Sequence, residues 1–174
     1  MLETRVGTMA VIDGKIGGLA APYGVLSHPL SVRGVNRDRP FRERIERGSF
    51  DGASTRNVSL LVGHDRRQLV ANTKSGLLQL SDTERGLEYE VNLPDTQLAR
   101  DTRALVESGV LSEMSFGFYV KRDSWEGSTR TLHSVDLREI SIVETGAYPQ
   151  TGAEARTLQR LAASLRLRLR TLPS

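Results

Sequence analysis

The chain has no cysteine, which excludes disulfides, a thiolate metal site and a cysteine nucleophile. Histidine is scarce as well: His28, His64 and His133 are the only three in 174 residues. They are widely spaced and fit no HExxH or paired-ligand pattern, so no metal and no cofactor is expected. Long apolar runs are missing. No stretch approaches the roughly 18 apolar residues of a membrane-spanning helix. Met1 to Met9 lacks the apolar core of a secretion signal, so the chain is expected to stay in the cell that makes it and off the membrane.

What is present suits one globular domain. Apolar residues make up 38% and charged residues 26%, and a chain of this length supports a single buried core rather than two. The expected organisation is a domain over residues 1–152 and a basic helical tail over residues 153–174. The net charge of +3 and the isoelectric point near 9.6 are unevenly sourced. Arg166, Arg168 and Arg170 cluster near the C-terminus while the middle of the chain is close to neutral. The charge therefore says little for nucleic-acid binding by the core.

Hydrophobic periodicity points to a mainly β domain. Thr8 to Leu19 reads as a hairpin turning at Asp13-Gly14, and Ala20 to Arg39, rich in Gly, Pro, Ser and Asn, as a long surface loop. Phe41 to Ile45 fits either a helical turn or an edge strand. Asn57 to Gly63 is a short apolar, β-branched run that ends just before His64 and Asp65. Leu77 to Leu80 and Leu87 to Leu93 read as two strands, the second with alternating apolar and polar residues that leave one face solvated. Between Asp95 and Gly109 the period becomes helical, with Asp95 or Thr96 as N-cap and Gly109 at the C-terminal end. Ser115 to Lys121, Thr129 to Leu132 and Arg138 to Glu144 read as strands again. Ala153 to Leu169 carries Leu158, Leu161, Leu165 and Leu169 at helical spacing. The expected fold is mainly β (α+β), a mostly antiparallel β domain of about seven strands with one embedded helix and one C-terminal helix.

Hydrolysis of an amide by serine needs a hydroxyl, a base for its proton, and a group that holds the base in the productive tautomer. His64 follows one predicted strand, Ser115 begins another, and Glu139 starts a third, so the three can converge at strand ends. Taken singly, each has a plain structural reading: a turn histidine, a small packed serine and a solvated strand glutamate. Ser112 is a rival nucleophile by position, but it reads as part of the turn after the Gly109 cap. Asp65 and Glu144 are rival acids. Adjacent residues of an extended chain face opposite ways, which disfavours Asp65 beside His64, and alternation turns Glu144 to the face opposite Glu139. His28 and His133 read as surface residues.

Five ordered blocks carry a resemblance that runs from Gly7 to Arg156: FRERIERGSF at Phe41 to Phe50, LLVGHD at Leu60 to Asp65, GLEYEVNLPDT at Gly86 to Thr96, MSFGF at Met114 to Phe118, and DLREISIVETGAYPQT at Asp136 to Thr151. In these blocks the chain resembles the prohead proteases of tailed bacteriophages, a family similar in fold to the herpesvirus assemblins, which are β-barrels with surrounding helices. The resemblance implies a serine endopeptidase that cuts the scaffolding part of the major capsid protein, and itself, inside the immature shell in the host cytoplasm. It places the catalytic residues on His64, Ser115 and Glu139, where assemblins carry a second histidine at the third position. Assemblins also stabilise the oxyanion with a loop arginine pair. The corresponding TGAYPQTGA segment has no arginine, which leaves backbone N–H groups, with Arg138 as an alternative. The basic tail is expected to dock on the barrel, pair with a second copy, contact capsid or scaffold, or be removed by self-cleavage. Two other functions remain compatible with the sequence: a catalytically silent barrel that binds capsid or scaffold, and a nucleic-acid-binding barrel driven by the arginine-rich tail.

Overall fold

The computed structural model describes residues 15–52 and 57–144 in full and residues 3–8 and 10–12 as backbone. Among them, ten strands and one α-helix form. The strands are β1 (Glu3–Thr8), β2 (Ala10–Ile12), β3 (Lys15–Pro22), β4 (Arg42–Ile45), β5 (Ser59–Val62), β6 (Asp65–Asn72), β7 (Leu78–Asp82) and β8 (Gly86–Val91), followed after the helix by β9 (Glu113–Glu126) and β10 (Thr129–Val143). The helix, α1, spans Gln97–Glu107. The domain is mainly β, as expected.

Two sheets divide the strands. One has the order β1-β9-β10-β5-β6, with β4 also paired to β10, and the other has the order β2-β3-β8-β7. The strands number ten rather than about seven, and among the described residues neither sheet closes on itself. Among the described residues the larger sheet ends at β1 and β6, whereas the strands of a barrel pair all the way round. The helix expected after Ala153 lies outside the described residues.

The central strand is β10. It runs antiparallel to β9 along one side and parallel to β4 and then β5 along the other. Its inward residues Leu137, Ile140 and Ile142 join Met114, Phe116 and Phe118 of β9 in a core that also takes Ile16, Leu78, Leu87, Tyr89 and Val91 from the second sheet and Ala99 and Val106 from α1. Phe116 stacks on Phe118 and meets Phe50 edge-on, at centroid distances of 5.4 and 5.7 Å.

Local chemistry explains several elements. The Thr96 hydroxyl caps α1 by accepting from Ala99 N at 3.2 Å, and Gly109 takes the positive φ that ends the helix. Strand β8 buries Leu87, Tyr89 and Val91 and leaves Glu88 and Glu90 half-exposed. The Phe41 to Ile45 segment, ambiguous by sequence, is extended: Phe41, Glu43 and Ile45 are buried and Arg42 and Arg44 exposed. A glutamate at an inward position disguised the two-residue period. It is accommodated because Glu43 lies opposite Arg130 in register, with Arg130 Nη1 3.4 Å from its carboxylate. The Ala20 to Arg39 loop begins later than expected, since β3 continues to Pro22.

Candidate active site

His64 stands at the tip of the β5–β6 hairpin. Apolar Leu60 and Leu61 anchor β5 in the sheet, and Val62 pairs with Asp65 across a two-residue turn formed by Gly63 and His64. Both turn residues have positive φ, 59° and 61°, the geometry that matches the twist of a two-residue hairpin. Glycine adopts it freely, whereas histidine does so at a cost. Gly63 N donates to Ile142 O at 2.9 Å, which ties the turn to β10 and holds the imidazole beside that strand.

Asp65 turns elsewhere. Its carboxylate accepts from Arg67 N at 2.9 Å, Arg67 Nε at 3.1 Å and Arg67 Nη2 at 3.0 Å. These hydrogen bonds from Arg67 hold the Asp65 carboxyl down at about 2. The residue braces the exposed start of β6 instead of the imidazole.

The β9–β10 pair supplies the other two residues. Directly opposed residues of a strand pair share a face, so Ile140 with Phe116 and Ile142 with Met114 point into the core, and Glu139 with Gly117 and Ser141 with Ser115 point the other way. A register shift between Leu137 and Glu139 creates this arrangement. Leu137 is a core residue opposite Phe118. Strict alternation from it would send Glu139 into the core, but Arg138 is the extra residue of a bulge and Glu139 emerges on the face of Gly117 and Ser115. Arg138 itself pairs with Asp136 at 2.6 Å and lies 5.4 Å from the centroid of the Tyr119 ring.

His64 Nδ1 lies 2.7 Å from Glu139 Oε1, and the Ser141 hydroxyl donates to Glu139 Oε2. Glu139 is 4% exposed and Ser141 0%. An ionised carboxylate only accepts, so Nδ1 carries the proton and Nε2 is left with its lone pair, the tautomer required of a general base. Of the three residues singled out by sequence, His64 and Glu139 are in contact. Ser115, 2% exposed, shares the face of Glu139 and sits opposite Ser141 without a hydrogen bond to the imidazole. Such bonds often form only when substrate arrives. Glu144 is exposed, and Ser112 lies between the bend that follows Gly109 and the start of β9.

Sequence reasoning missed Ser141. Its signal was available, because a residue two positions along a strand from Glu139 shares its face. It also missed a second serine–histidine–carboxylate line. His133, read as a surface residue, has Nε2 at 2.7 Å from Ser124 Oγ and Nδ1 hydrogen-bonded to Glu46 Oε2. No sequence pattern announces it: His133 is the unpaired residue of another bulge in β10, between Leu132 and Ser134. The two lines differ in their carboxylates. The Glu46 side chain is 56% exposed, so solvent screens its charge, whereas Glu139 acts from a buried position where its field is stronger.

A hydroxyl, an imidazole of fixed tautomer and a buried carboxylate beside one strand pair are the working parts of a serine hydrolase. Residues 4–164 match the model of the caudovirus prohead serine protease family, and the chain belongs to that family, which makes it a serine peptidase. No curated protein and no solved structure matches it. Among the described residues, no helix is long and apolar enough to cross a membrane.

Proposed function

We propose that this serine peptidase matures capsids by cutting the scaffolding part of the major capsid protein inside the procapsid, and that it also cuts itself. Ser115 is the nucleophile, His64 its base and Glu139 the residue that orients the base. The observation that carries this reading is the bulge at Arg138. It costs regular pairing and turns a carboxylate out of the core to meet a histidine held at positive φ.

The Ser115 oxygen attacks the scissile carbonyl as its proton passes to His64 Nε2. Glu139 stabilises the imidazolium through the Nδ1–H bond. His64 then hands the proton to the departing amine, leaving an acyl-enzyme on Ser115. Water attacks the ester while His64 takes a proton from it, and the proton returns to Ser115 as the acid product leaves. Backbone N–H groups are the favoured oxyanion donors, since Arg138 is engaged with Asp136 and Tyr119.

Co-expression with the cognate capsid protein tests the proposal. Wild type should remove the scaffold segment, and Ser115→Ala should leave it uncut. Equal cleavage by both would rule out Ser115, and shell assembly without proteolysis by any variant would favour a silent scaffold-binding module.

A further inference from the structure

We infer that Ser141 is a positioning residue for catalysis, holding the Glu139 carboxylate in the orientation that serves His64. The inference rests on the His64–Ser115–Glu139 reading and adds a fourth member to it.

A carboxylate on a strand side chain has two oxygens and several rotamers, so one hydrogen bond does not fix it. Oε1 is engaged by His64 Nδ1 at 2.7 Å. Oε2 would be a buried acceptor beside that bond, and a buried acceptor left without a donor is costly enough to turn the group away or neutralise it. The Ser141 hydroxyl supplies the donor. Its own placement leaves little freedom: it is fully buried, two residues from Glu139 on the same strand, and flanked in register by Ser115 on β9 and Leu61 on β5.

The register gives Ser141 a second relation to the reaction. Directly opposite residues of an antiparallel pair hold their β-carbons about 4.5–5.5 Å apart, so Ser141 stands beside the nucleophile as well as the acid. With its proton committed to Oε2, it does not compete with Ser115 for the imidazole. Ser141 touches neither substrate nor the transferred proton and acts through Glu139.

The test is the rate at which a fluorophosphonate probe labels Ser115, mapped by peptide mass spectrometry. This reads nucleophile activation without a peptide substrate. Ser141→Ala removes one oxygen from a packed site, and unchanged melting would show that the fold survives. Labelling should slow about ten- to a hundredfold. Ser141→Thr, which keeps the hydroxyl, should recover most of the rate. Glu139→Gln should slow labelling about a thousandfold or more. If Glu139→Gln is slow but Ser141→Ala labels at the wild-type rate, or if Ser141→Thr is as slow as Ser141→Ala, Ser141 is only a packing residue. Wild-type labelling by Glu139→Gln would overturn the reading of the acid itself, and the role of Ser141 with it.

Discussion

Gly117 and Glu139 are cross-strand partners, and the space that a side chain on Gly117 would fill is taken by the glutamate. A β-carbon at Gly117 would come within 3.1 Å of the Glu139 carboxyl carbon and closer still to Oε1. The glycine of the MSFGF block thus matters for what lies over it. Gly117→Ala should push the carboxylate off His64, lowering fluorophosphonate labelling of Ser115 at least about tenfold and destabilising the domain by about 1–3 kcal/mol. Full labelling by a stable Gly117→Ala protein would mean that the carboxylate needs no such seat.

His64→Ala and His64→Gly remove the same imidazole and should be equally inactive. They differ only in the backbone, because alanine at φ 61° is strained and glycine is not. Chemical denaturation should find the glycine variant more stable by about 1 kcal/mol. Equal stabilities would show that the turn relaxes out of the left-handed region once the imidazole is gone.

Asp65 contributes to stability in a defined pH window. Its folded-state value of about 2 lies below its ordinary value of 3.8, so its contribution is complete above the ordinary value and fades as pH falls towards the folded one. Arg67→Ala removes the donors responsible. The melting temperature of wild type should exceed that of Arg67→Ala most clearly above about pH 4 and converge with it on approach to pH 2. Asp65→Asn should leave Ser115 labelling within about twofold, and a large loss would make Asp65 a contributor to the imidazole's chemistry.

Ser124→Ala provides the control between the two serine–histidine–glutamate lines. Scaffold cleavage should persist within about twofold of wild type, since the Glu46 charge is screened by solvent, and probe adducts should map to Ser115. Loss of cleavage in Ser124→Ala, with Ser115→Ala still active, would move the active site to the β9–β10 hairpin.

Much of this was legible in the sequence. Helix α1 announced itself through period and caps, and β5, β7 and β8 through apolar runs and alternation. His64 and Ser115 stood out through ordered blocks. What could not be read was set by pairing. After the half-buried Asp65, strand β6 runs through four exposed residues, Arg66 to Leu69, because an edge strand is solvated enough to lose its alternation. In β1, ETRVGT offers a single large apolar residue. The two predicted strands at Thr129 and Arg138 are one strand whose bulges break the two-residue period. Those bulges also carry chemistry: parity counted back to Leu137 puts Glu139 in the core, and only the register with β9 reveals the shift.

Placing the acid on β10 has a consequence for when the enzyme exists at all. A strand hydrogen-bonded on both sides and packed at the centre of the core opens only with the whole domain. The amides around Ile140 should be among the last to exchange with solvent, while those near His64, at the tip of an edge hairpin, exchange sooner. A nascent or half-folded chain then holds a histidine with no carboxylate behind its Nδ1. On the proposed triad, hydrolytic competence is thereby coupled to the final cooperative folding step, so the peptidase is chemically inert until its last strands close.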